Sequence, residues 1–191
     1  MKSKLSPVTF LVLVLTLVVT GCGRYGDPLP PDAYAPQAVQ NLKVQADIAG
    51  VTFYWEGSRN DLRSKELTEI DGYELVRKEI KTDADIIDDD LDFDRIVFVE
   101  DTQVVDRDKL RDEARAAGKP AKRIDVDAEQ LKFSAEDNTV EAGREYVYKI
   151  VPINQGDVEG EASQLVRLLF NGQNTQVMII ALNNLQLEDE L

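Results

Sequence analysis

The chain contains no histidine and one cysteine, Cys22. Without histidine it lacks the side chain most used as a general base and as a transition-metal ligand. One cysteine excludes an intrachain disulfide and any cysteine-rich zinc site. Cations are scarce as well: 22 Lys and Arg stand against 36 Asp and Glu, for a net charge of −14 over 191 residues. Affinity for nucleic acid comes largely from Lys and Arg meeting phosphates, so no nucleic-acid partner is expected. The same imbalance argues against broad electrostatic adhesion to anionic lipid. No spacing of Ser, Asp, Glu or Lys suggests a nucleophile with its base, so the chain is expected not to be an enzyme and to use no metal or diffusible cofactor.

What is present begins at the N-terminus. Lys2 and Lys4 precede the apolar stretch Val8–Thr20, interrupted only by Thr9, Thr16 and Thr20. A spanning helix needs about 20 apolar residues, so these thirteen are too few; their length and basic flank suit a secretory signal. The stretch ends in Leu17-Val18-Val19-Thr20-Gly21-Cys22. This hexapeptide resembles the lipobox of bacterial lipoproteins. The resemblance implies cleavage between Gly21 and Cys22, a diacylglyceryl group on the Cys22 thiol and an acyl group on its new amine. Two or three chains hold a protein stably on a membrane, whereas one binds marginally. With residues 1–21 removed, 20 cations remain against 36 acids, a net charge of −16. Lipid, not charge, is then the expected membrane attachment. Gly23 follows the cysteine where enteric-type inner-membrane lipoproteins carry Asp, so the outer membrane of a cell envelope is the favoured location.

Residues 22–35 form a proline-rich tether, with Pro28, Pro30 and Pro31 followed by Pro36. This density of proline predicts an extended, polyproline-like spacer and excludes helix. The start of the tether, Cys22-Gly23-Arg24-Tyr25-Gly26-Asp27-Pro28-Leu29-Pro30-Pro31, is similar to the Cys-Gly-x-Lys-Gly-Pro-Leu-x-x-Pro opening of a small lipoprotein family that assists maturation of the lipopolysaccharide translocon. Tyr25 replaces the family's Lys, and Asp27 is an addition. The similarity makes Gly23, Arg24, Tyr25, Gly26, Pro28 and Leu29 candidate contacts for an envelope protein partner.

Beyond Pro36 short alternating runs take over. They include Leu42-Val44-Ala46, Val51-Phe53-Trp55, Tyr73–Arg77, Ile96–Val99, Tyr146–Val151 and Leu165–Phe170. Period-two alternation in short runs with few helical signals predicts an all-β antiparallel sandwich. The order of the pieces resembles the fibronectin type III (Ig-like) family over residues 36–170. Val51-Thr52-Phe53-Tyr54-Trp55 matches its second strand with the core tryptophan. Ile70-Asp71-Gly72-Tyr73 matches the entry to its third strand. In Val140-Glu141-Ala142-Gly143-Arg144-Glu145-Tyr146-Val147-Tyr148, Tyr146 falls where that family has its tyrosine corner, and Ala142 replaces the usual proline. Trp55, Tyr73, Tyr146 and Tyr148 fall on inward strand positions and are expected in the core; Tyr54 and Phe98 are assigned to neither face.

An insertion is expected at about 103–135. Asp106 to Ala117 reads as a helix capped by Asp106 and ended by Gly118 and Pro120, with Lys109 and Glu113 paired at i,i+4. Its stripe of Leu110, Ala114 and Ala117 is narrow, as for a surface helix on the sandwich. Lys119, Lys122 and Arg123 are read as a solvated loop in preference to a phosphate site. The acidic segment from Asp83 to Asp94 is read as a solvated hairpin tip, without the glycine and closing glutamate of a calcium loop. In the C-terminal extension 171–191, the apolar run Val177–Leu182 needs cover. It reads as an added strand after a turn at 171–174, with a partner-docking segment and a helix as the alternatives. Together these features point to a lipid-anchored binding or scaffolding module of the cell envelope, or to an accessory subunit of the translocon machinery.

Overall fold

The computed structural model describes residues 29–81 and 93–180. The expectations for Gly21, Cys22, Gly23, Arg24, Tyr25, Gly26 and Pro28, for the acidic residues 83–92 and for Ala181 and Leu182 lie outside the described residues.

Among the described residues, nine strands and one α-helix follow in order: β1 Gln40–Ala46, β2 Val51–Glu56, β3 Gly72–Ile80, β4 Asp94–Glu100, α1 Gln103–Ala116, β5 Lys132–Asp137, β6 Glu145–Asn154, β7 Val158–Glu159, β8 Leu165–Leu169 and β9 Gln176–Ile180. One sheet has the order β1-β2-β5; the other runs β4-β3-β6-β8-β9, with β7 paired to β6. All pairs are antiparallel. The two sheets face each other as an all-β antiparallel sandwich, extended by β9 at one edge.

Alternation decides what lies between the sheets. Val51, Phe53 and Trp55 of β2 point inward and pack with Tyr73 and Leu75 of β3, Tyr148 and Ile150 of β6, and Val166 and Leu168 of β8. The Trp55 ring meets Tyr73 edge-on at 5.7 Å and stacks near Phe133 at 6.1 Å. Tyr146 forms the expected corner: its hydroxyl accepts a hydrogen bond from the Glu141 N–H at 3.0 Å. Ala142 does not prevent this, because Gly143 turns the chain at φ 83° and its N–H bonds the Phe170 carbonyl at 2.8 Å. The larger sheet is also apolar on its outward face, where Val76, Val151 and Ile153, and Ile80, Val147 and Leu165, form two further buried clusters that both include Phe93.

Five local expectations are corrected. Pro31–Tyr34 is a 3-10 turn and not extended chain, because proline is well accommodated in a first helical turn that needs no N–H from it. The insertion ends earlier than 135: after a second 3-10 turn at Ala128–Leu131, residues 132–137 form β5, which pairs with β2 from Trp55↔Phe133 to Val51↔Asp137. The helix starts at Gln103, with Thr102 as its N-cap residue, and Asp106 lies in its first turn accepting from the Thr102 hydroxyl at 2.9 Å. There its charge favours the positive helix end without capping it. Of the stripe of Leu110, Ala114 and Ala117, only Ala114 is buried. Leu110 is exposed, and the docked residues are Gln103, Val104, Arg107 and Ala114. Arg111 adds a forked bond to the Glu66 carboxylate at 2.6 and 3.0 Å. The exposed i,i+3 pair on α1 is Arg115 with Asp112, not Lys109 with Glu113. Gly118 does end the helix, at φ 68°, and Lys119, Lys122 and Arg123 are exposed in the loop beyond it.

Candidate binding surface

The chain enters the sandwich at a fixed point. Behind the exposed Leu29, the turn Pro31–Tyr34 is seated through Tyr34, Ala35 and Pro36. The Ala35 carbonyl accepts from the Leu62 N–H at 2.9 Å, and the Pro36 carbonyl from the Glu161 N–H at 2.9 Å. The Arg63 guanidinium lies 3.9 Å from the centre of the Tyr34 ring and donates two bonds to Asp61. Gly160 makes this possible, since a Cβ there would stand 2.4 Å from the Pro36 carbonyl oxygen. Of the candidate partner contacts, only Leu29 is described, and it is free of the sandwich face with 48% exposure.

A second surface lies on the outward face of the β1-β2-β5 sheet. Because β2 alternates, Tyr54 points away from the core between inward Phe53 and Trp55, and it is 41% exposed. It stands opposite Lys43 of β1 and Ser134 of β5. Around it is an open groove of about 410 Å³ lined by Asn41, Lys43, Gln45, Glu56 and Lys132. Asn41 adopts φ 53° where the β1–β2 register slips between Gln40 and Lys43, and its amide donates to Glu56 at 2.9 Å. An exposed ring with amide and ammonium groups around it suits stacking and hydrogen bonding to a polar ligand or side chain. It offers no nucleophile with a base. The ambiguity over Tyr54 resolves to the surface; Phe98, also 41% exposed, is on β4 of the other sheet.

Two buried carboxylates look at first like catalytic candidates. Asp101 accepts from the Tyr73 hydroxyl at 2.7 Å, the Gln103 side chain at 2.7 Å and the Gln103 N–H at 2.8 Å. Burial pushes its pKa above the ordinary value, against these hydrogen bonds. Asp137 accepts from the Thr139 N–H and hydroxyl, from Tyr148 at 2.8 Å and from Arg77 at 2.7 Å. Burial opposes its charge too, but the Thr139, Tyr148 and Arg77 groups outweigh it and hold the carboxyl below the ordinary range. Each oxygen of both groups is taken by protein donors, so both are structural. Trp55, Tyr73, Tyr146 and Tyr148 are likewise buried core residues and form no exposed aromatic platform. Among the described residues there is no cluster of three or more carboxylates or thiols placed to hold a metal ion. No described helix is long and apolar enough to cross a membrane.

Sequence reasoning missed Asn41 and Lys132 as neighbours of Tyr54. A polar alternation in Asn41-Lys43-Gln45 pointed to the outward face of β1; nothing local marked Lys132, because β5 was not recognised as a strand.

Comparison with known proteins shows no family. No family model matches the chain, and no curated protein matches it. Among solved structures, it is similar to the third fibronectin III domain of the human KIAA0343 protein, with 14% identity and a TM-score of 0.40 over 78% of this chain and 93% of that one. It is also similar to the kinase region of twitchin from C. elegans, with 10% identity and a TM-score of 0.41 over 73% of this chain, which spans only 17% of the twitchin chain. A structure described as a myokine matches with 13% identity and a TM-score of 0.34, over 72% of this chain and 98% of that one.

Proposed function

We propose that this protein is a lipid-anchored, non-enzymatic binding or scaffolding module of a bacterial cell envelope. The observation that carries the reading is the sole cysteine, Cys22, placed directly after Thr20-Gly21 at the end of a thirteen-residue apolar stretch. Diacylglycerol on its thiol and an acyl chain on its amine would supply the membrane attachment that the acidic body cannot. The seated turn at Pro31–Tyr34 supports a tether of defined reach. From Cys22 to Leu29 the chain can extend at most about 25 Å, so the sandwich would be held near the membrane with one pole always facing it. Saturation of Asp101 and Asp137 by protein donors supports a binding role over a catalytic one. Labelling growing cells with radioactive palmitate is expected to mark the wild-type chain and leave a Cys22→Ser variant unlabelled and uncut. Normal cleavage of that variant would overturn the reading.

A second reading rests on the similarity of residues 22–31 to the opening of the translocon-assisting lipoproteins. In it, Gly23, Arg24, Tyr25, Gly26, Pro28 and Leu29 contact a protein partner in the outer membrane. Replacing residues 23–29 by a Gly/Ser linker of equal length leaves the seated turn intact. A spacer tolerates that exchange, whereas a recognition peptide loses its crosslink to the translocon barrel.

A further inference from the structure

Among the described residues the two sheets have four edges, and three of them carry charge. β1 presents Lys43; β5 presents Lys132 and Glu136; β4 presents Asp94, Arg95 and Glu100. Charges on an edge strand are the common protection against pairing with another chain. β9, Gln176-Val177-Met178-Ile179-Ile180, has none. It also has no proline, and it lies within a run from Leu168 to Leu187 that contains no charged residue in a chain that is 30% charged. One side of β9 is bonded to β8, from Leu165↔Ile180 to Leu169↔Gln176. Among the described residues no strand pairs with its other side. Val177, Met178 and Ile179 are 41, 60 and 45% exposed, and a hollow of about 430 Å³ lies beside them, lined by Leu169, Gln176, Met178 and the ion pair of Arg167 with Glu145.

We propose that β9 is a self-association edge that pairs antiparallel with β9 of a second copy, about a two-fold axis at Met178. Three of the five residue pairs in that register join apolar side chains. Val177 faces Ile179 of the other copy, Met178 faces Met178, and Gln176 faces Ile180. Directly opposed residues point to the same side of an antiparallel pair, so Met178 joins Met178 on the outward face and Val177 joins Ile179 on the inward one. Charge selects the edge as well as permitting it. Two bodies of net charge −14 repel one another, and β9 is where they can meet without bringing like charges together. Five residue pairs make an interface at or below the small end of specific ones, so the dimer is weak and reversible. Screening of the bodies' repulsion should strengthen it as salt rises, because the Debye length falls to about 3 Å at 1 M.

Disulfide trapping in the full-length chain, solubilised in a mild detergent and carrying Cys22→Ser so that the introduced thiol is the only one, tests the register. Directly opposed residues have Cα atoms about 4.5–5.5 Å apart, within the range a disulfide spans. Met178→Cys is therefore expected to crosslink to a dimer. Val177→Cys would lie roughly 8 Å from its symmetry mate and is expected to remain monomeric under the same oxidation. Sedimentation velocity should show a wild-type dimer that grows with protein and salt concentration and is lost in Met178→Lys, with unchanged thermal melting as the folding control. Four results would overturn the proposal: a monomer up to about 1 mM, equal crosslinking at 177 and 178, a dimer that survives Met178→Lys, or a dimer seen only after truncation behind Ile180. The last would mean that the chain's own C-terminal segment occupies the edge.

Discussion

Asp137 is the residue whose removal should cost the sandwich most for its size. Its side chain is completely buried, and it receives four hydrogen bonds: two from Thr139, one from the Tyr148 hydroxyl and one from Arg77. Arg77 is itself only 18% exposed and also bonds the Thr139 hydroxyl at 2.8 Å. Truncating Asp137→Ala leaves a mostly buried guanidinium without its carboxylate and a buried Tyr148 hydroxyl without its acceptor. Breaking a buried ion pair from one side costs about 3–5 kcal/mol, because the remaining charge stays desolvated. Some solvent reaches Arg77, so we place the loss near the lower end, at about 3 kcal/mol. At about 2–4 °C per kcal/mol for a domain of this size, the melting midpoint should fall by roughly 6–12 °C. The chain's one tryptophan, Trp55, lies in the core and reports the transition by fluorescence in thermal or urea unfolding. Asp125→Ala is the control: its pair with Arg59 is 46–52% exposed and should change stability by no more than about 0.5 kcal/mol. If Asp137→Ala cost no more than Asp125→Ala, the network would have no structural weight, and Asp137 would have to be reconsidered as a functional group. The acid limb gives a second reading of the same residue. Its folded pKa is depressed below 3.8, so its contribution is complete above the unfolded value and is lost as pH falls through the folded one.

Asp101 should behave in the opposite sense. Its folded pKa is raised by burial, so its contribution is complete below about 3.8 and is lost as pH rises through the folded value. The stability advantage of wild type over Asp101→Asn, followed by urea midpoints, should therefore shrink as pH rises above about 3.8; an advantage that grew as pH rose would contradict the assignment. Tyr146→Phe removes only the oxygen that accepts from the Glu141 N–H and should cost about 1–2 kcal/mol in the same assay. Gly160→Ala forces a Cβ against the Pro36 carbonyl, should cost about 1–3 kcal/mol, and should speed protease cleavage within residues 30–36. Unchanged cleavage there would mean that the seat of the tether does not depend on Gly160.

The strands readable in the sequence are those in which one face is apolar and the turn chemistry is local. β2 is the clearest case: Val51, Phe53 and Trp55 alternate with Thr52 and Tyr54, and the Asp47 carboxylate accepts from both Ala49 and Gly50 N–H to close the turn before it. The corner at Tyr146 was legible for the same reason, since its partner is five residues away. β5 was not legible. Lys132-Phe133-Ser134-Ala135-Glu136-Asp137 has two apolar residues, and what makes it a strand is a complete pairing with β2, some eighty residues earlier. The start of α1 failed similarly: Asp106 has the chemistry of a cap, but Gln103 reaches Asp101 and the distant Ser58 carbonyl, and those bonds place the first turn three residues upstream.

The candidate surfaces follow the same division. Tyr54 could be flagged from β2, yet its neighbour Lys132 lies on the strand that local pattern concealed. Asp137 gave no signal at all, because its partner Arg77 is 60 residues away. β9 required both kinds of information. Composition shows that residues 168–187 carry no charge, which by itself fits a buried strand as well as an exposed one. Only the topology puts β9 at a sheet edge, with Val177, Met178 and Ile179 exposed, and only the charges on the other three edges make its lack of charge informative. A strand buried on both sides has no need of protective charge. An edge that lacks it while the others have it is one for which pairing has not been selected against.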